Sequence, residues 1–186
     1  MKVTSIKKIF LILFLLSSSF IYFLEAEDKN LSNSTSRAGG WFGIGLGSSY
    51  VGLTGYSYFS FVYNENIFTI RYLSADEFRF NPGGDNYDNP SLSIREKGIL
   101  YGRCYRKEYL LLSISAGIGY ISGIDRGRKI TEHQFEPINI STYGIPFEAK
   151  FRLNMGFLGF GGGWFGNINS QKFLSGGMIE ISIGVY

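Results

Sequence analysis

Between residues 143 and 153 every second side chain is apolar, Ile145, Phe147, Ala149, Phe151 and Leu153, while Gly144, Pro146, Glu148, Lys150 and Arg152 fill the gaps. Side chains of an extended strand point alternately to opposite faces, so this segment has one oily side and one ionic side. The period recurs. At 109–121, Leu110, Leu112, Ile114, Ala116, Ile118 and Tyr120 oppose Ser113, Ser115, Gly117 and Gly119; at 157–165, Leu158, Phe160 and Trp164 oppose Gly159, Gly161 and Gly163. Toward the end of the chain, Ile179, Ile181, Ile183 and Val185 oppose Met178, Glu180, Ser182 and Gly184. Further extended segments are read at 41–49, 53–63, 67–74 and 93–105, which brings the number to eight. Each is about 9 to 13 residues long, the length that crosses a bilayer as a tilted strand. The facing of 53–63 stays open, because Tyr56, Tyr58, Phe59 and Phe61 occupy both parities, and so does that of 93–105.

Connections alternate in length. Short turns are expected at 64–66, 106–108 and 154–156, and longer polar links at 75–92, 123–137 and 166–173; the first link, 48–52, is short and breaks the rule. A barrel inserted from the periplasm has tight turns on that side and long loops outside. Lipid offers no hydrogen bonds, so the strands must close on themselves. The expected fold is therefore all-β, an eight-stranded antiparallel up-and-down transmembrane β-barrel, with its oily side toward lipid and its interior filled by side chains rather than by a broad channel.

An export leader precedes this pattern. Lys2, Lys7 and Lys8 stand before an uncharged run at 9–24 that Glu25, Ala26, Glu27 and Asp28 end. This is the order of a secretory signal peptide. The domain plan is a signal peptide at 1–26, a flexible lead-in rich in Ser, Asn and Lys at 27–40, and the barrel at 41–186. The full chain carries 18 Lys and Arg against 15 Asp and Glu, but three of the cations and one carboxylate lie in the leader, which leaves a mature charge of +1. Such a balance gives no footprint for nucleic acid, which calls for clustered cations on one face. Gly at 25 residues, Tyr at 13 and Phe at 17 suit a β-barrel. Cys104, the single cysteine, excludes an intrachain disulfide and is expected to be buried in a strand.

Three stretches carry a resemblance to a known group: Glu96-Lys97-Gly98-Ile99-Leu100-Tyr101-Gly102, Ser115-Ala116-Gly117-Ile118-Gly119-Tyr120, and Tyr143-Gly144-Ile145-Pro146-Phe147-Glu148-Ala149-Lys150-Phe151. They resemble small bacterial outer-membrane β-barrel domain proteins of the OmpA/OmpX-like eight-stranded type. The resemblance implies residence in the cell outer membrane, with outer-membrane lipid as the first partner. One departure concerns the last strand, where such proteins set apolar residues two, four and six places before a terminal aromatic. Here Gly184, Ser182 and Glu180 hold those places before Tyr186.

Arg71, Glu96, Glu148, Lys150, Arg152 and Glu180 fall on the inner parity and form the candidate site, a barrel-interior charge network to which Arg103 is a possible addition. Mixed signs in a narrow interior can pair and offset desolvation, so a structural network is preferred to an ion pathway. A catalytic site is not expected: His133, the only histidine, sits in a polar link with no orienting group and nucleophile beside it. Asp85 and Asp88 supply oxygen ligands, but no closing Glu completes a calcium loop. The expectation is no cofactor and no metal. The run Arg126-Gly127-Arg128-Lys129 is read either as a solvated tip or as a contact for anionic groups. An extracellular ligand or partner would be met through 75–92 and 123–137. Trp41, Tyr120, Tyr143, Trp164 and Tyr186 lie near strand ends, as interfacial aromatic girdles do. The functional expectation is a non-enzymatic integral outer-membrane protein serving surface interaction or envelope integrity; a narrow pore, a lipid-modifying enzyme and a soluble periplasmic ligand-binding barrel are the alternatives.

Overall fold

A computed structural model describes residues 38–78, 90–131 and 134–185. The leader at 1–26, most of the lead-in, Asp85, Asp88, His133 and Tyr186 lie outside the described residues. Eight strands follow one another: β1 (Ala38–Ser49), β2 (Leu53–Tyr63), β3 (Asn66–Asp76), β4 (Ser93–Lys107), β5 (Leu110–Thr131), β6 (Gln134–Met155), β7 (Leu158–Asn169) and β8 (Leu174–Val185). Each pairs antiparallel with its neighbours in sequence, and β1 pairs with β8 to close the barrel. No helix occurs among the described residues. The barrel begins at Ala38, three residues before the expected start, because Ala38, Gly39 and Gly40 already pair with Tyr63, Val62 and Phe61.

The registers fix the geometry. From Ile44, pairing through Ser57, Tyr72, Lys97 and Tyr120 arrives at Tyr143, whereas pairing the other way through Ile181 and Phe160 arrives at Leu153. The two arrivals on β6 differ by ten positions, and this stagger is what tilts the strands of a closed barrel. Two-residue turns join β2 to β3 at Asn64 and Glu65, β4 to β5 at Glu108 and Tyr109, and β6 to β7 at Gly156 and Phe157. Their first residues, Asn64, Glu108 and Gly156, have φ of 56°, 47° and 66°. Positive φ lets a two-residue turn follow the twist of its strands. Asn and Gly take it readily, and Glu108 does so against its intrinsic preference.

The facing of the side chains decides between a membrane barrel and a soluble one. Ile114, Phe151 and Ile181 are 43%, 51% and 50% exposed, while Glu148 and Arg152 are each 1% exposed. Large apolar side chains look outward around the wall and the ionic side chains of β3, β6 and β8 look inward, the inverse of a soluble barrel; β4 departs from the rule, with Arg95 and Lys97 outside and Ile94 and Leu100 inside. The facing of β2 is now settled: Tyr56 and Tyr58 point inward, and Phe59 and Phe61 outward. On β4, Ile94, Glu96, Leu100 and Cys104 are buried within.

Two expected links are corrected. The segment 123–137 is not a polar link but the far part of the β5–β6 hairpin, each arm of which has 22 residues. At a rise of ~3.3 Å per residue such an arm spans roughly 70 Å, more than the hydrocarbon core requires at any ordinary tilt. Pairing of β4 with β5 stops at Ser93 and Ile124, and pairing of β6 with β7 stops at Gly144 and Asn169. Beyond those points β5 and β6 pair, among the described residues, only with each other, out to Thr131 and Gln134, with irregularities around Lys129. The link 166–173 shrinks likewise, because β7 continues to Asn169.

Facing dictates a measurable asymmetry. Ile181→Arg, which sets a cation against lipid, is expected to lower unfolding stability in bilayers by about 2–4 kcal/mol, whereas Ile181→Leu leaves it nearly unchanged. Reversible denaturant unfolding in vesicles reads the difference, and equal stabilities for the two variants would contradict the outward facing.

Candidate functional site

β3, β4, β6 and β8 each send ionic side chains into the same interior, and the register brings them within contact. Arg71 stands at one end. Its Nε donates to Glu96 Oε1 at 2.8 Å and its Nη2 pairs with the same oxygen. Nη1 reaches Glu148 Oε2 at 3.3 Å, and the guanidinium also donates to the carbonyls of Phe147 and Gly166, each at 3.3 Å. Glu96 accepts a further bond from Asn167 Nδ2 at 2.9 Å. A planar guanidinium suits such a position because its fork serves several acceptors at once.

Glu148 is the junction. It accepts from Tyr56 Oη at 2.5 Å and from Ser115 Oγ at 3.2 Å, and it faces Lys150 Nζ at 3.0 Å. Lys150 lies 3.9 Å from Glu180 Oε2 and 3.8 Å over the centre of the Tyr58 ring. Arg152 completes the chain: Nη2 pairs with Glu180 Oε1 at 3.0 Å and donates to Tyr58 Oη at 2.5 Å, while the guanidinium sits 4.3 Å over the Trp41 ring. Gly43 makes room for this stack, since a Cβ there would fall 2.4 Å from Tyr58 Oη. Three cations and three carboxylates make up this network, so their formal charges cancel.

All six residues named from the sequence thus lie together, each with at least one ionic partner. Arg103 does not join them. It faces Glu65 at 3.5 Å and Asn66 Oδ1 at 3.4 Å beside the β2–β3 turn, because it shares the outward parity of Ile99 and Tyr101. Trp41 was assigned to a girdle and is instead buried inside. The parity that sends Phe42, Ile44 and Leu46 outward turns it inward. Tyr120, Tyr143 and Trp164 do face outward, and the rings of Tyr120 and Tyr143 lie 5.4 Å apart. Tyr56, Tyr58, Ser115 and Asn167 were missed, although the facing of β5 already pointed Ser115 inward; Asn167 fell in the expected link 166–173, and only the continuation of β7 to Asn169 turns it into the interior.

Apolar side chains occupy the interior on both sides of the network. Toward the long connections stand Leu73 and Ala75 near the end of β3, Ile94 near the start of β4, Ile121, Ile140 and Leu174. Toward the tight turns stand Val62, Ile67, Cys104 and Leu111. Where β5 and β6 leave the barrel, a second, smaller ionic set braces them. Arg126 Nη2 grips both Glu77 oxygens at 2.6 and 2.7 Å, and Lys172 pairs with Asp125 beneath the Tyr50 ring. Burial, reinforced by the Asp125 carboxylate, pushes the Tyr50 phenol in the β1–β2 link up to about 12.

A closed antiparallel wall, an apolar exterior and a neutralised ionic interior define the chain as an eight-stranded barrel of the outer-membrane type. No protein-family model and no characterised protein sequence matches it. Among solved structures it is similar to the N-terminal β-barrel domain of OprF from Pseudomonas aeruginosa, with a TM-score of 0.58 and 6% identity over 81% of this chain and 99% of that one. It is also similar to Neisserial surface protein A, with a TM-score of 0.51 and 8% identity over 82% and 99%. Ail, the attachment invasion locus protein of Yersinia pestis, aligns with a TM-score of 0.45 and 11% identity over 81% and 97%. At these identities the first two likenesses are likenesses of fold.

The network generates a stability prediction. Glu148→Gln leaves Arg71 and Lys150 short of a buried counter-charge and is expected to cost about 3–5 kcal/mol, while Glu148→Gln combined with Lys150→Met recovers part of the loss. Unfolding titrations on the three variants measure the coupling. A double variant no more stable than Glu148→Gln would mean that the pair is not coupled.

Proposed function

We propose that this chain is a non-enzymatic integral protein of the bacterial outer membrane, held there by its apolar wall, and that it acts at the surface through what projects beyond that wall. The observation that carries the reading is the inversion of facing: the ionic side chains meet one another inside, and the large apolar ones meet the surroundings. In water such a wall would be an aggregation hazard, and in lipid it is the stable arrangement. Apolar layers on both sides of a charge-balanced network favour a packed interior over a narrow pore. The soluble ligand-binding reading loses its basis, since an internal apolar cavity would need the oily faces turned inward.

Recognition belongs to the β5–β6 ribbon and the link at 75–92. Beyond Ile124 and Gly144 the ribbon has no lateral strand partner among the described residues, so its edges carry main-chain donors and acceptors without a ladder partner, one of which, Ser141 N, donates instead to Gln171 Oε1. Arg128, Lys129 and Ile130 are exposed near its far end. The salt bridges of Glu77 with Arg126 and Asp125 with Lys172 tie its base to the neighbouring connections. This gives a stiff platform for an external partner, which a flexible loop would not provide.

Fractionation tests the reading. The protein is expected to stay with the outer-membrane fraction after osmotic shock, to shift its gel mobility on heating, and to give no conductance steps in planar bilayers. Release by osmotic shock without detergent would overturn the membrane assignment. Conductance that changes on Glu148→Gln would replace the packed interior with a pore, and an altered lipid A mass in cells lacking the protein would install the enzyme.

A further inference from the structure

In the part of the wall that faces lipid, the outward positions of β1, β2, β6, β7 and β8 carry no Asp, Glu, Lys or Arg. β4 breaks that rule with Arg95 and Lys97, both exposed. Lys97 lies on the rung of Tyr72 on β3 and Tyr120 on β5, and Arg95 lies one outward position nearer the long connections, on the rung of Ser74 and Ser122. Neither cation has a hydrogen bond or ion pair with another described residue. Two like charges without counter-charges, at the level where a tyrosine girdle begins, call for an anion from outside the chain.

Below this pair the wall is hollowed. A groove of about 720 Å³ opens on the outer face, with Ile70, Ile99 and Ile118 along its length, Phe59 and Tyr143 at its flanks, and Lys97 at its rim. The hollow lies over the outward Ser57, whose short side chain stands between the larger Ile44 and Tyr72 on the same rung. Its volume falls in the range of ligand pockets, and its surface is almost wholly apolar. A cationic rim above an oily channel, both open to the bilayer, matches one chemistry: a phosphate head group with an acyl chain below it.

We infer that this face binds a phosphate-bearing lipid of the leaflet on the long-connection side, its chain seated along Ile70, Ile99 and Ile118 and its phosphate held by Lys97 and Arg95. Tyr72 and Tyr120 flank the phosphate level, where their hydroxyls can share it with water. The long Lys97 stem lies along apolar surface while its ammonium rises to the head-group layer, the usual behaviour of a cation near the end of a membrane span. The inference rests on the membrane reading given above.

Native mass spectrometry of the full folded chain, released from nanodiscs of phosphatidylglycerol and phosphatidylcholine with identical acyl chains, tests it. The expected result is retention of phosphatidylglycerol over phosphatidylcholine, with Lys97→Gln and Arg95→Gln each weakening the preference about five-fold. Ser57→Phe, which fills the groove, is expected to lower retention of both lipids. Arg128→Gln with Lys129→Gln on the ribbon is expected to change nothing. Equal retention of the two lipids by the unaltered chain, or a preference that survives loss of Arg95 and Lys97, overturns the site. A chain that enters neither kind of nanodisc and shows no heat shift on gels overturns the membrane reading itself.

Discussion

A lipid interior accepts no hydrogen bonds, and nearly everything in this structure follows from that. Each backbone N–H and C=O inside the hydrocarbon must find a partner in the same chain, so an edge strand is untenable and the wall must close. The pairing of Gly40 with Val185 through to Ser49 with Gly176 is the seam that removes both edges at once. Closure with eight strands and a stagger of ten then fixes a narrow interior. Whatever the inward parity carries has to fit there, with water largely excluded.

That confinement explains why the interior combines rings, glycines and ions as it does. A lone buried ion would cost several kcal/mol in desolvation, so ions are tolerable only as a connected set. Glu148 meets the requirement most completely, with an arginine, a lysine, a phenol and a hydroxyl around one carboxylate. The aromatic rings serve a second purpose: Tyr58 and Trp41 offer their faces to Lys150 and Arg152, which supplies attraction to a cation without another anion. Opposed glycines are the steric counterpart, as Gly43 is to Tyr58. The alternation of glycines with large side chains along the strands is thus a packing solution.

How much was legible depended on whether two environments competed for a strand. β5 from Leu110 to Tyr120, β6 beyond Tyr143, and β8 lie between lipid and a polar interior, and their alternation gave away strand, facing and four of the six network residues. β4 was harder, because it carries cations outside, Arg95 and Lys97, and apolar side chains inside, Ile94 and Leu100, so hydropathy alone assigned neither face. β2 was ambiguous for a chemical reason: tyrosine is apolar enough for lipid and polar enough for the interior, and Tyr56 and Tyr58 use the second property. Trp41 shows the opposite failing, since nearness to a strand end was allowed to outweigh parity. Arg103 was drawn toward the network by its charge alone, although two-residue periodicity sets it with Tyr101.

The ribbon was illegible for the deepest reason. No side chain is buried from Asp125 to Ile130 or from Phe135 to Asn139, so no alternation is required there and a polar strand resembles a loop. What makes it a strand pair is cooperative continuation of a register already fixed below, from Leu110 and Leu153 upward. A hairpin that starts in a rigid wall has its strand orientation and register settled in advance, so each added rung needs little extra ordering. Its base is then locked where it leaves its neighbours, by Glu77 on Arg126 and Lys172 on Asp125. The wall therefore does more than anchor the chain: it exports its order outward, and the ribbon keeps a fixed direction without any pattern being required on either of its faces.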